Sequence, residues 1–318
     1  MLIRMSSDES LAAGLAEVLG ATPVSGLTRL SGGASRETWR FVADGRPLIL
    51  QRQRAGDVRD MGVEAAVVRA AGEAGMPVAA LVASSNVDNP LGAAFMVLSA
   101  VEGETIARKI LRDDEFSQAR PLLAGQFGRA LAQLHAIPVS TVPALAETDQ
   151  VEQYRTMLDS LGQPHPTFEL AFRWLAEHQP TSTARAIVHG DFRLGNVMVG
   201  ADGLRAVLDW ELAHIGDPME DLGWLCVKAW RFGSPKPVAG VGDYVELFDA
   251  YEAAGGGPVD PDVVRWWEVL GTLKWGIMCI LQANAHLAGF TRSHELAAIG
   301  RRVCENEHDL FLALEGHW

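Results

Sequence analysis

The chain has 318 residues, 48% hydrophobic and 21% charged, with a formal net charge of −13. That length allows two lobes, and the acidic balance argues against nucleic acid or an anionic membrane surface as the main partner. The 32 Gly and 15 Pro are dispersed, which excludes a low-complexity chain, and the 3 Cys (Cys226, Cys279, Cys304) lack a C-x-x-C, which argues against a disulfide framework or zinc site and fits a reducing cytoplasm.

In chain order, the N-terminus lacks a basic start followed by a long apolar core, so no signal peptide is expected. Ser10–Leu19 has the pattern of a short amphipathic helix. Leu27–Leu30, Thr38–Val42 and Pro47–Arg52 read as strands, with Ser31, Gly32, Gly33 and Ser35 in the first connecting loop. Such a loop can lay backbone N–H groups on a phosphate, although any Gly-rich β-turn has the same composition. Val63–Ala74 is helical with Glu64 near its start, and Leu81–Ser84 and Phe95–Ala100 are strands either side of a turn at Asn89–Gly92.

The pattern then changes. Helices are expected over Pro121–Ile137, Val151–Leu161, Thr167–His178, Leu222–Trp230, Val241–Ala254, Asp262–Ala288 and Ser293–Glu315. Trp275–Phe290 is interrupted by Gln282, Asn284 and His286, so it reads as a core helix rather than a membrane span. One hairpin, Asn196–Val199 and Arg205–Leu208 around a turn at Gly200, Asp202 and Gly203, interrupts the helices. The expected architecture is therefore α+β: a β-rich lobe over residues 1–100 and a mainly helical lobe over 101–318. Residues 1–100 hold nine Lys and Arg against ten Asp and Glu (net −1), so the remainder holds 18 against 30 (net −12). A solvated acidic surface explains that imbalance, and a region attracting a cationic acceptor is the sharper alternative.

The hairpin carries the chemistry. Asp191 and Asn196 lie just before it and Asp209 just after, in H-G-D-F-R-L-G-N and L-D-W-E. Phosphoryl transfer needs Mg²⁺ on a few oxygen ligands, an in-line hydroxyl and a carboxylate to take or orient its proton. A carboxylate, an amide five residues on and a second carboxylate across a hairpin meet those needs.

These motifs, with L-S-G-G-A-S-R-E-T, D-W-E-L-A-H-I-G-D-P and E-D-L-G-W, resemble the aminoglycoside phosphotransferase/choline kinase-like family, relatives of the protein kinases. The similarity extends over nearly the whole chain, and includes bacterial small-molecule kinase-like proteins and kinase-like domains joined to acyl-CoA dehydrogenases. The resemblance implies a protein-kinase-like two-lobe fold and an Mg²⁺-dependent transfer of the γ-phosphate of ATP or GTP to a small-molecule hydroxyl. It implies Asp191 as catalytic base, and Asn196 and Asp209 as Mg²⁺ ligands. The loop Ser31–Ser35 would cover the phosphates, Ser99–Val101 would be the adenine hinge, and Glu64 would orient the phosphate-binding basic residue. His189, Asp217 and Asp221 would support the catalytic loop, Asp217 and Asp221 also being candidates for a helix cap. One departure stands out: the third-strand lysine is missing from P-L-I-L-Q-R-Q-R. Adjacent strand residues face opposite ways, so either Arg52 or Gln51 meets the nucleotide; Arg52 is the expectation. A nucleotide-binding pseudo-enzyme is the alternative of another class.

Overall fold

Period-two alternation organises the first lobe. The computed structural model describes residues 7–20, 23–30, 36–54, 59–181 and 184–317; the expected phosphate loop, with Ser31, Gly32, Gly33 and Ser35, lies outside them. Helix α1 (Ser7–Leu19) is followed by β1 (Val24–Arg29), β2 (Arg36–Ala43), β3 (Arg46–Gln53), α2 (Met61–Glu73), β4 (Leu81–Ser85) and β5 (Phe95–Ser99). The strands form one five-stranded antiparallel sheet of order β1-β2-β3-β5-β4. On its outer face Phe41, Leu48, Leu50, Phe95 and Val97 are buried with Leu11 and Leu15 of α1. Each such side chain contributes about 1.5–3 kcal/mol of apolar burial. The other face carries Ile49, Gln51, Met96 and Leu98 toward a cleft. There α2 packs through Met61 and Ala65 on Met96. Asp60 starts α2 by accepting from the Gly62 and Val63 amides at 2.8 and 3.2 Å.

The second lobe contains α3 (Ala107–Arg112), α4 (Arg120–His135), α5 (Gln150–Leu161), α6 (Pro166–Glu177), α7 (Met219–Cys226), α8 (Tyr244–Ala253), α9 (Pro261–Leu287), α10 (His294–Ile299) and α11 (Val303–Leu314). Between α6 and α7 lie β6 (Ala186–Val188), β7 (Val197–Gly200), β8 (Gly203–Val207) and β9 (His214–Gly216). β7 and β8 form the expected hairpin. β6 and β9 form a second small antiparallel sheet that short runs of three residues do not announce.

Two expected helices differ. The helix expected over 222–230 stops at Cys226, because Val227 leaves the helical region (φ −53°, ψ 133°), and a 3₁₀ turn follows over Lys228–Arg231. The helix expected over 293–315 is divided by a 3₁₀ turn at Gly300–Arg302, where Gly300 packs so close to Ala283 that a Cβ would stand 2.7 Å from it. α7 and α9 also press together: a Cβ on Gly223 would lie 2.5 Å from Trp267 Cβ. Among the described residues no helix is long and apolar enough to cross a membrane.

The hairpin joins the lobes. Val207 N–H donates to the Pro77 carbonyl at 2.8 Å, and Val199 and Glu104 exchange backbone hydrogen bonds at 2.9 and 3.0 Å. Phe192, Leu194, Val197 and Val199 are fully buried, and the Phe192 ring meets Phe127 of α4 edge-on at 5.6 Å. The segment with the most polar chemistry is therefore anchored by its own apolar residues.

Candidate active site

Between the sheet and the hairpin runs a cleft of about 510 Å³. Ile49, Met96 and Leu98 line it from the sheet, and Met198 and Val207 from the hairpin. Ser99, Ala100 and Val101 form its edge, while Glu64, Asn196 and Asp209 lie along it. A slot with two apolar walls and a backbone edge suits a flat heterocycle, with polar groups left for what is attached to it.

The loop between β6 and β7 presents Asp191. Its Oδ1 accepts from Trp224 Nε1 at 2.8 Å and from Arg193 Nε at 3.0 Å, and its Oδ2 accepts from Asn196 Nδ2 at 2.6 Å. Asn196 Nδ2 also donates to the Asp191 carbonyl at 3.0 Å. With its amide nitrogen spent there, Asn196 keeps its side-chain oxygen as an acceptor for a ligand in the cleft.

Asp209 sits at φ +63°, a left-handed conformation uncommon for a residue other than glycine. Its carboxylate opens on the cleft, yet protein crowds it from behind. Desolvation, with the charges of Glu211, Asp191 and Glu64, pushes its pKa up to about 6, against the opposing pull of Arg36. Asp191, Asn196 and Asp209 thus converge, and the site has surplus negative charge. Among the described residues no three His, Cys, Asp or Glu are arranged to hold a metal by themselves. The donor set, one amide oxygen and one carboxylate short of positive charge, fits a hard divalent cation that keeps water and phosphate oxygens as its other ligands.

Support lies beneath the loop. Asp221 of α7 accepts from the His189 and Gly190 amides at 2.7 and 2.9 Å, and from His135 Nε2 at 3.2 Å. Burial opposes its charge, but the His135 hydrogen bond and the neighbouring imidazoles hold its pKa below the usual carboxylate range. His189 is fully buried, and that burial lowers its pKa. As the neutral tautomer it accepts from the Asp191 amide at Nδ1 (3.2 Å) and donates from Nε2 to the Leu208 carbonyl (2.9 Å). Gly190 has φ +75°, and a Cβ there would stand 2.5 Å from the Leu212 carbonyl oxygen. Asp217 does not touch this loop; its Oδ1 accepts from the Met219 amide at 2.8 Å, at the start of α7. Asp221→Ala would orphan three donors, two of them buried amides, and is expected to lower unfolding free energy by about 3–5 kcal/mol in a urea titration.

Arg52 is not in the cleft, which corrects the sequence expectation. It lies on the outer face of β3, opposite Glu37 in register, and donates to Glu37 Oε2 through Nε and Nη2 at 3.1 and 2.6 Å. It also donates to the Leu91 carbonyl at 3.2 Å. Period-two geometry sends its neighbour Gln51 into the cleft. Glu64 is instead paired with Arg36 of β2, through Nη1 to Oε1 at 2.6 Å and through Nη2 to Oε2.

Arg36 and Trp224 lie within quoted motifs without a role implied for them, Lys274 lies in none, and the place of all three here emerges from the fold. Lys274 was legible only as a lone cation in the apolar run of α9. It donates to the Gly190 carbonyl at 3.0 Å, lies 4.6 Å from the Trp224 ring centroid and 3.6 Å from Glu220 Oε1. Burial opposes its charge, but the combined influence of Tyr154, Glu220, Asp191 and Asp221 keeps its pKa raised. Lys274→Met is expected to cost about 3 kcal/mol in stability and about tenfold or more in kcat, with little change in nucleotide KM; stopped-time product assays and chemical denaturation check both.

Arg193 extends from Asp191 over the Trp230 ring, at 4.8 Å from its centroid, and Trp230 in turn meets Trp224 and Trp275 at 5.2 and 4.9 Å. These tryptophans, from three different elements, are buried together, and Trp224 bounds the far side of Asp191 through its Nε1.

The phosphotransferase enzyme family model matches residues 26–267, and the chain belongs to that family. Its architecture is a protein-kinase-like α+β fold. A Ralstonia eutropha JMP134 protein described as an aminoglycoside phosphotransferase superposes with a TM-score of 0.78 at 21% identity, covering 98% of both chains. A choline/ethanolamine kinase family protein of Mesorhizobium loti gives 0.66 at 22% identity, covering 98% of this chain and 95% of that one. A spectinomycin phosphotransferase solved with ADP and spectinomycin gives 0.67 at 12% identity, over 98% and 99%. Likenesses at these identities speak for the fold. Acyl-CoA dehydrogenase family member 10 of Mus musculus is 25% identical over 230 residues, which is 67% of this chain and 21% of that protein. Aminoglycoside 3'-phosphotransferase of Escherichia coli is 26% identical over 150 residues, 43% of this chain and 54% of that one. The chain thus spans about a fifth of the length of the first and about half of the second.

Proposed function

We propose that this chain moves the γ-phosphoryl group of ATP or GTP, with Mg²⁺, to a hydroxyl of a small molecule. The observation that carries the reading is the 2.6 Å contact of Asp191 with Asn196, beside a cleft that Asn196 and Asp209 both line. The apolar walls take the base, and the edge at Ser99 and Val101 offers backbone groups to it. Asn196 and Asp209 would hold Mg²⁺, which when bound offsets the charge of the phosphates. Asp191 is the base: with three donors fixing its carboxylate, it orients the acceptor hydroxyl in line and takes its proton. Trp224 and Lys274 keep the loop under Asp191 in place.

For the acceptor we place an amino-alcohol or aminoglycoside first, on the net −12 of residues 101–318. A hydroxyacyl-CoA-type acceptor is the second reading, favoured by the Arg193 guanidinium beside Asp191 and by the relatives joined to acyl-CoA dehydrogenases. A nucleotide-consumption screen with Mg²⁺ against amino sugars, choline-like alcohols, macrolides and hydroxyacyl-CoAs tests these, with Asp191→Ala as control. Tight nucleotide binding without turnover on any acceptor would transfer support to a pseudo-enzyme.

A further inference from the structure

We propose that Arg36 of β2 is the cation that holds the nucleotide phosphates in this chain, doing from the second strand what a basic residue on the third would do. The proposal rests on the nucleotide-site reading above. At the level of Glu64 the cleft-facing residue of β3 is Gln51, which is neutral, and Arg52 is committed to Glu37 on the opposite face. Among the described residues that line the cleft, Arg36 and Arg40 alone are basic. Arg40 is bound at the rim to Glu102, at 2.5 Å, and is largely exposed. Arg36 is the inner one, with 7% of its side chain exposed.

Its setting is built around the guanidinium. Glu64 engages both Nη atoms in a two-pronged contact, which fixes the plane of the fork. Gln51 Oε1 accepts from Nη1 at 3.2 Å, so the residue in the strand position where a lysine is usual serves as a prop for the arginine. Nη1 is thereby used twice. Nη2 keeps a second N–H whose nearest acceptor among the described residues is Glu211 Oε2 at 3.6 Å, beyond hydrogen-bond distance. Arg36 and Asp209 line the same cleft, and Glu211, two residues past Asp209, stands 3.6 Å from Nη2, which puts the guanidinium at the Asp209 end of the cleft. A fixed cation with a spare donor beside a carboxylate that calls for a metal is suited to a phosphate oxygen.

The test separates phosphate contacts from base contacts by calorimetric titration of ADP and of adenosine, each with Mg²⁺, into Arg36→Gln. ADP is expected to bind about tenfold or more weakly than to the unaltered protein, and adenosine within about twofold. The double variant Arg36→Gln, Gln51→Lys returns a cation to the third strand and is expected to recover much of the ADP affinity. Unchanged ADP affinity in Arg36→Gln would overturn the proposal. So would equal losses for ADP and adenosine, which mark a merely structural pair with Glu64. If Arg36→Gln does not fold, Arg36→Lys keeps a cation for Glu64 but loses the fork, and the same selective loss for ADP over adenosine is expected. If the unaltered protein binds neither ligand, the nucleotide-site reading itself falls, and Arg36 with it.

Discussion

Asp191→Ala is expected to lower kcat by about 10³-fold, within the range that a positioned general base contributes, while nucleotide KM changes little. The split follows from geometry. Asp191 is not among the residues lining the nucleotide cleft, so nucleotide contacts survive its loss. What disappears is the carboxylate that three donors hold at the face of the loop, Trp224 and Arg193 on one oxygen and Asn196 on the other. Those donors orient the carboxylate, and in a loose phosphoryl transition state orientation of the hydroxyl is most of what a base supplies. Stability should fall by only about 1–2 kcal/mol, because Arg193 can turn to water, Asn196 keeps its bond to the backbone carbonyl at position 191, and Trp224 alone is stranded. Asp191→Asn is a finer probe: one face of its amide would oppose Asn196 Nδ2, donor against donor, unless Asn196 flips. A kcat within about threefold of the parent for Asp191→Ala would sink the base assignment.

Asp209→Asn is expected to abolish measurable turnover and, in metal-free buffer, to make the protein more stable above pH 6. The pair of outcomes is diagnostic because most substitutions that destroy activity leave stability unchanged or lower. In the folded chain the Asp209 pKa is pushed up to about 6, from 3.8, by desolvation and by Glu211, Asp191 and Glu64. Between those two values the folded state binds more protons than the unfolded one, so stability falls as pH rises through the window. The penalty is complete above pH 6 and relieved as the carboxyl is protonated below it. Asparagine removes it at every pH. Since Asp209 opens on a wet cleft, screening reduces the gain to on the order of 1 kcal/mol. Thermal melts with EDTA at pH 8 and pH 5 read the effect, with the gain expected in full at pH 8 and about halved at pH 5, since relief is complete only below the unfolded pKa of 3.8. Adding Mg²⁺ and ADP should then raise the parent midpoint by linkage and raise that of Asp209→Asn much less. A variant less stable than the parent at pH 8, or one stabilised equally by Mg²⁺ and ADP, contradicts the crowded-carboxylate account.

Asp191, Asn196 and Asp209 were legible in the sequence because their spacing is local to one loop and one hairpin, whose apolar residues alternate as strands must. The sheet, the long helix and the change from strands to helices were legible for the same reason: periodicity is written along the chain. Arg52 was misplaced because Leu48, Ile49 and Leu50 are all apolar, so the run does not say which face is core. Only the packing of α1 on Leu48 and Leu50 decides it, and Arg52 follows them outward while Gln51 turns into the cleft. The role of Arg36 is not legible in the sequence because its partner Glu64 is 28 residues away, and the pairing needs α2 docked on the sheet.

The catalytic loop shows the same division. Its sequence specified the groups proposed to react, by residue type and interval. What holds those groups came from elsewhere: Trp224 of α7 is 33 residues from Asp191, and Lys274 of α9 is 84 from Gly190. Short-range pattern determines which backbone forms and which side chains share a face. Which distant cation or ring closes over them depends on how helices pack, and α7 reaches α9 closely enough only because Gly223 leaves no side chain between them.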